Sequence, residues 1–182
     1  MRSVRCQSGR MEAVLLTGLF GVGKSTIAAE MADFLEGAGL PYAALDLDWL
    51  TWCNVGDGDR GREHAMMLRN LGAVVGNYRV AGVCYFVLAR WIHDRDELAG
   101  LAATMAMPLR TVELSVPLDE ITRRLASDPT AGRRDDLAKS AAWVKKGSGA
   151  GLAEYTVKND RRVRDVAADI LRWLAWPPLA GG

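Results

Sequence analysis

Residues 18–25, Gly-Leu-Phe-Gly-Val-Gly-Lys-Ser, set glycines, a lysine and a hydroxyl at the spacing that cradles a chain of phosphates. Gly18, Gly21 and Gly23 let the backbone curl, so that the N–H groups of this loop, from Phe20 and Val22 through to Thr26, can face phosphate oxygens. A helix that starts near Lys24 would add its positive end at the same place. Lys24 would then reach β- and γ-phosphates, and the Ser25 hydroxyl would take a position on Mg2+. A chance glycine-rich turn is the competing reading, and the flanking sequence weighs against it. The apolar run 13–17 before the loop reads as a buried strand, and residues 26–35 after it read as a helix stopped by Gly37 and Gly39. The expected ligand is a nucleoside triphosphate, ATP, with Mg2+.

Phosphoryl transfer also needs an acceptor hydroxyl in line with the γ-phosphate and a carboxylate to orient it or take its proton. Asp46 and Asp48 follow an apolar run at 41–46. If that strand continues, both point to one face beyond its carboxyl end, where open α/β sheets bind ligands. Asp48 is assigned to the acceptor hydroxyl and Asp46 to a supporting, Mg2+-linked role; a strand-end cap and a solvated acid would explain the same pair. Trp49 and Trp52, one turn apart beside these acids, would wall a pocket for a flat or sugar-like substrate, or else pack a short helix on the core. Arg90 ends a continuously apolar run, where a charge calls for a partner, and is assigned to substrate. Among Arg123, Arg124, Arg133 and Arg134, two bidentate guanidinium groups would serve the transferred phosphoryl; Arg124 and Arg133 are chosen, with a solvated basic face as the alternative.

These residues need a scaffold. With 182 residues, 49% of them hydrophobic, the chain suits one compact α/β domain. Strands expected at 13–17, 41–46, 83–88, 109–115 and 154–157 alternate with helices at 26–35, 62–81, 97–106, 118–126 and 161–173. That alternation predicts a five-stranded parallel sheet flanked by helices in three layers, with a short arginine-bearing lid at 127–136. Residues 1–12 are expected as a loose extension, 13–176 as the single domain and 177–182 as a tail. A net charge of +1 gives no electrostatic footprint for nucleic acid. No apolar run reaches the roughly 18 residues of a membrane span. Cys6, Cys53 and Cys84 lack metal-site spacing and read as reduced thiols in a cytoplasmic protein, monomeric or homodimeric. Asp57, Asp59 and Glu63 miss the calcium-loop pattern, because Leu68 stands where its last ligand belongs. His64 and His93 have no paired nucleophile and are given no role.

The order of elements, with the phosphate loop after the first strand, acids after the second and arginines after the fourth, resembles that of the P-loop small-molecule kinases. Ala44-Leu-Asp46-Leu-Asp48-Trp is similar to the acidic segment of adenylylsulfate kinases, and a single Asp after strand two also resembles chloramphenicol phosphotransferase. Phe86-Val-Leu-Ala-Arg90 with Asp94-Arg-Asp96 resembles the third strand of adenylylsulfate and gluconate kinases, and Val112-Glu-Leu-Ser-Val-Pro117 their fourth. The resemblance implies a nucleoside-monophosphate-kinase-like fold, with Arg69 binding substrate from the second helix and Asn159 packing against adenine. Thr51 and Trp52 stand where adenylylsulfate kinases carry a basic residue, and their Phe-Thr-Gly substrate loop is missing, which argues against a sulfonucleotide acceptor. The expected activity is ATP-dependent phosphorylation of a small-molecule hydroxyl. A nucleotide or nucleoside kinase is the alternative within enzymes, and a nucleotide-binding switch without an acceptor is the alternative outside them.

Overall fold

A computed structural model describes residues 10–53, 59–126 and 151–176 of the chain. Five strands, β1 (Glu12–Thr17), β2 (Tyr42–Asp46), β3 (Tyr85–Ala89), β4 (Leu109–Ser115) and β5 (Tyr155–Lys158), form one sheet in the order β2-β3-β1-β4-β5. Every pairing is parallel. The described helices are α1 (Lys24–Gly37), α2 (Arg60–Val80), α3 (Arg95–Met105), α4 (Leu118–Ala126) and α5 (Val163–Trp173), with a 3-10 turn at Leu47–Thr51. The expected lid, with Arg133 and Arg134, lies outside the described residues.

Both faces of the sheet are covered, which explains why β3, and β1 from Ala13 to Leu16, are continuously apolar rather than alternating. Val14 and Leu16 pack with Ile27 and Met31 of α1 and with Val166 and Ile170 of α5. Ala13 and Leu15 face the opposite way, onto Met67 and Leu71 of α2 and Leu101 and Met105 of α3. The layers are therefore α1/α5, sheet, α2/α3. The helices are closed by local chemistry. Asp59 accepts from the backbone of Gly61 and Arg62 at the start of α2, and at the start of α3 Asp94 accepts from the Glu97 backbone N–H while the Glu97 carboxylate accepts from the His93 N–H.

Trp176, the last residue before the expected tail, is buried; its ring lies 5.0 Å from that of Tyr85, and its Nε1 donates to Glu12 at 2.9 Å. The cysteines depart from expectation: Cys53 is free and exposed, whereas Cys84 is disulfide-bonded, so the expectation of reduced thiols fails at Cys84. No described helix is long and apolar enough to cross a membrane.

Candidate active site

From β1 the chain travels outward to β2, returns to β3, and then crosses to β4 on the other side of β1. Loops leaving β1 and its neighbours diverge at that reversal, which opens a crevice at the carboxyl edge of the sheet. The phosphate loop leaves β1 there. Gly18, Gly21 and Gly23 all have positive φ, at 128°, 80° and 95°. At two of them space is also restricted: a Cβ on Gly18 would lie 2.5 Å from the Leu114 carbonyl oxygen, and one on Gly23 would lie 2.6 Å from Asn159 Nδ2. Glycine is required on both counts. The curled backbone carries Phe20 and the buried Val22 and delivers Lys24, Ser25 and Thr26 to the first turn of α1.

Lys24 is 8% exposed, and its ammonium donates to the Gly18 and Leu19 carbonyl oxygens at 2.8 and 3.1 Å, 5.4 Å from the centre of the Phe20 ring. The lysine thus spans the loop it belongs to. Ser25 and Thr26 are exposed at the start of α1. Ser25 Oγ donates to Asp46 Oδ2 at 2.6 Å. The other oxygen, Asp46 Oδ1, accepts from the Asp48 backbone N–H at 3.1 Å and caps the 3-10 turn. Asp48 Oδ1 in turn accepts from Arg90 Nη1 at 3.0 Å. Ser25, Asp46, Asp48 and Arg90 form one hydrogen-bonded chain that joins the phosphate loop to the ends of β2 and β3.

One expectation needs correction. Strand β2 does not continue through Asp48: it ends at Asp46, and Leu47–Thr51 turns as a 3-10 helix. The sequence signal for the turn was an Asp whose carboxylate can accept a backbone N–H two residues on. Asp48 therefore reaches the crevice through a capped turn, not as the next same-face residue of a strand. The turn is firmly held. Leu47 is fully buried, Thr51 Oγ1 donates to the Asp48 carbonyl, and Asn70 Nδ2 of α2 donates to the Leu50 carbonyl at 2.9 Å.

Arg90 follows Ala89 directly, and its backbone N–H donates to Leu16 O, which continues the β3–β1 ladder. Its side chain is 16% exposed, with Nε buried and unpartnered. Arg69 is exposed on α2, and Trp49 and Trp52 stand in solvent on the 3-10 turn. The Trp rings contact each other, with centroids 4.6 Å apart, so packing onto the core is not their role.

Asn159 and Arg124 meet on the far side of the loop. Asn159 is buried after β5, and its Nδ2 donates to Val22 O at 2.7 Å. Arg124 of α4 donates to Val22 O, to Asn159 O and to Glu120. Hydrogen bonds from Arg123 and then Arg124 hold the Glu120 carboxyl below the ordinary carboxylate range. Asn159 and Arg124 thus brace the loop that bends around them. Sequence reasoning missed this because a brace between loops has no periodicity; the polar Asn at a strand end was its only trace.

Glu113, also missed, sits at the carboxyl end of β4 in register with Thr17 of β1. Partial burial raises its carboxyl above the usual range. Among the described residues no group of three or more His, Cys, Asp or Glu side chains could cage a metal. The hard oxygens of Ser25 and Asp46 nevertheless fit Mg2+, which typically takes one or two protein ligands and completes its shell with phosphates and water.

No family model matches the chain. Over 115 residues it is 30% identical to a probable adenylyl-sulfate kinase of Aeropyrum pernix, an alignment that covers 61% of this chain and 62% of that one. A sugar kinase from Janibacter sp. superposes with a TM-score of 0.67 at 20% identity, covering 94% of this chain and 99% of that one. The APS kinase of Mycobacterium tuberculosis, solved with AMPPNP and APS, superposes with a TM-score of 0.63 at 24% identity over 91% of this chain and 98% of that one. The chain has the fold of the P-loop small-molecule kinases.

Proposed function

We propose that this protein is a kinase that transfers the γ-phosphoryl group of ATP to a hydroxyl of a small molecule. The observation that carries the reading is the hydrogen-bonded chain from Ser25 through Asp46 to Asp48 and Arg90. A switch protein needs the loop and its cation ligands, but it has no use for a second carboxylate fixed beside an arginine. The likeness to an adenylyl-sulfate kinase and a sugar kinase, both named for phosphorylating small molecules, supports the same class.

Each residue has a distinct task in this reading. The N–H groups of residues 18–26 and the amino end of α1 receive the phosphates. Lys24 leaves the Gly18 and Leu19 carbonyls and neutralises the β- and γ-phosphate oxygens. Ser25 and Asp46 would hold Mg2+, which would supply charge neutralisation at the phosphates. Asp48, oriented by Arg90, accepts the hydrogen bond of the acceptor hydroxyl. As the acceptor oxygen bonds to the γ-phosphorus, the bond to the bridging oxygen breaks, ADP departs and the acceptor's proton passes to Asp48. Arg124 and Arg133 are proposed to meet the charge on the transferred group, and Asn159 to border the adenine while it holds the loop. Trp49, Trp52 and Arg69 are proposed to contact the acceptor. Thr51 and Trp52 stand where adenylylsulfate kinases carry a basic residue, which disfavours an adenylyl-sulfate acceptor.

ATP turnover measured with and without a panel of hydroxyl-bearing metabolites, with mass-spectrometric detection of product, tests the reading. A kinase turns over rapidly only when its acceptor is present, whereas a switch is indifferent to the panel. Lys24→Met supplies the control: the protein should fold and lose transfer by on the order of 10²-fold or more, since electrostatics and positioning provide most of this catalysis. Near-normal transfer by folded Lys24→Met protein would remove the phosphate-loop mechanism.

A further inference from the structure

Trp49 and Trp52 are 67% and 76% exposed, the most exposed aromatic side chains among the described residues, although burying one aromatic ring is worth several times the burial of a methyl group. They are not loosely placed. In a 3-10 helix residues i and i+3 eclipse each other, so the Leu47–Thr51 turn and its C-cap bring the two indoles onto one ridge, with centroids 4.6 Å apart and planes tilted by 37°. The adjacent ridge of the same turn carries Asp48 and Thr51, joined by the bond from Thr51 Oγ1 to the Asp48 carbonyl. Buried Leu47, the Asp46 cap and the bond from Asn70 hold both ridges at once. An exposed apolar pair on a rigid turn, one ridge from the carboxylate assigned to the acceptor hydroxyl, has the form of a recognition platform.

We infer that the acceptor carries a planar aromatic or heteroaromatic ring, stacked on the Trp49–Trp52 pair, a short distance from the hydroxyl it presents to Asp48. This rests on the kinase reading and adds the acceptor's chemical class. Sugar acids and open-chain polyols, which have no π-face, are disfavoured. A nucleoside-like or aryl-substituted alcohol has both required parts, and stacking on an indole is tolerant of which ring is offered.

The test uses two matched sets of probes with the full-length protein and MgATP. One set holds nucleosides and aryl-substituted alcohols, and the other holds ring-less polyols and sugar acids. Product formation and quenching of tryptophan fluorescence are recorded for each. The ring-bearing set should give both signals. Trp49→Ala and Trp52→Ala should each raise the KM for a ring-bearing acceptor by on the order of 10-fold or more. Trp→Phe at either position should restore most of that loss, which a merely structural role would not predict. A ring-less compound as the preferred acceptor, or an unchanged KM in both Ala variants, overturns the inference and leaves the kinase standing. Should no probe be phosphorylated, the kinase reading fails, and quenching by ring-bearing probes that vanishes in both Ala variants still identifies the platform; its absence removes the platform too. A dimer of the native protein that dissociates when both Trp residues are replaced would assign the pair to self-association and likewise overturn the inference.

Discussion

Asp46 and Asp48 are two residues apart, yet the structure gives them different neighbours, and their chemistry should differ accordingly. Asp46 spends one oxygen on Ser25 and the other on the backbone that starts the 3-10 turn. Asp48 keeps its side chain half exposed beside Arg90. Replacing Asp48 with Asn preserves size and removes the proton acceptor. The expected result is a kcat lowered by about 10²–10⁴ with ATP affinity little changed. Asp46→Asn should instead shift the Mg2+ concentration needed for half-maximal activity, because its carboxylate is a candidate metal ligand and not a proton acceptor. Steady-state rates across a Mg2+ series, with calorimetric ATP binding for both variants, separate the two roles. Full kcat in Asp48→Asn would leave that carboxylate structural. Asp94, the acid that opens α3, is poorly placed to replace it, because its Oδ1 already accepts from Glu97 N–H as the helix cap. At this scale the sequence was most legible where spacing is rigid. The glycine, lysine and serine positions of the loop follow from backbone geometry alone. Asn159, by contrast, acts through a bond to Val22, 137 residues away in sequence, and no local pattern announces such a pair.

Strands and helices were legible because each carries its own period, and boundaries moved by only a few residues where caps decide them. Strand β3 ends at Ala89, one residue beyond the apolar run, because Arg90 still donates into the ladder. The substantive miss was the 3-10 turn, where a capping Asp overrode the extended pattern before it. Helix α5 shows what capping leaves undone. Its preceding residue, Arg162, makes no side-chain cap. Asp169 instead joins Arg172 within the helix to Arg161 just ahead of it. Hydrogen bonds from Arg161 and then Arg172 hold the Asp169 carboxyl below the usual carboxylate range. A lowered folded-state value means that the unfolded chain binds more protons, so stability falls as pH drops through that range. Asp169→Asn should therefore cost about 0.5–1 kcal/mol at pH 7, a figure kept small because both arginines are largely solvated. The difference from the native protein should shrink below about pH 4 and vanish once the native carboxyl is protonated. Urea unfolding at pH 7 and pH 3 checks it. Glu113 has the opposite sign: burial raises its carboxyl, so its ionisation weakens the fold as pH rises, and Glu113→Gln should be the more stable protein at pH 7.

At the level of the whole molecule, the site exists only where separate parts of the sheet meet. The phosphate loop leaves β1, which packs through Val14 and Leu16 against α1 and α5. Asp46 and Arg90 leave β2 and β3, whose Ala43, Phe86 and Leu88 pack on the α2/α3 side. The brace of Arg124 and Asn159 comes from beyond β4 and β5. Composition and alternation were enough to foresee a parallel sheet of five strands, but not which strand edges become neighbours, because that depends on crossovers between distant segments. A ligand gripped by Lys24, Ser25 and Asp46 bridges β1 to β2 and has no equivalent site in the unfolded chain. It should therefore stabilise the fold by mass action, by about 2.7 kcal/mol at a concentration one hundred times its Kd. For a chain of this length that corresponds to a rise in Tm of roughly 5–10 °C. The shift should need ATP and Mg2+ together if, as proposed, Ser25 and Asp46 hold the nucleotide through the cation. Ser25→Ala should lose most of the Mg2+-dependent part while keeping the native Tm without ligand, because its hydroxyl is exposed and its loss leaves the buried core untouched. Thermal unfolding with ATP in excess Mg2+ and in excess chelator, for the native chain and Ser25→Ala, makes the comparison. An equal shift under both conditions in the native protein would separate Ser25 and Asp46 from the metal and leave their 2.6 Å bond as a purely structural link between α1 and β2.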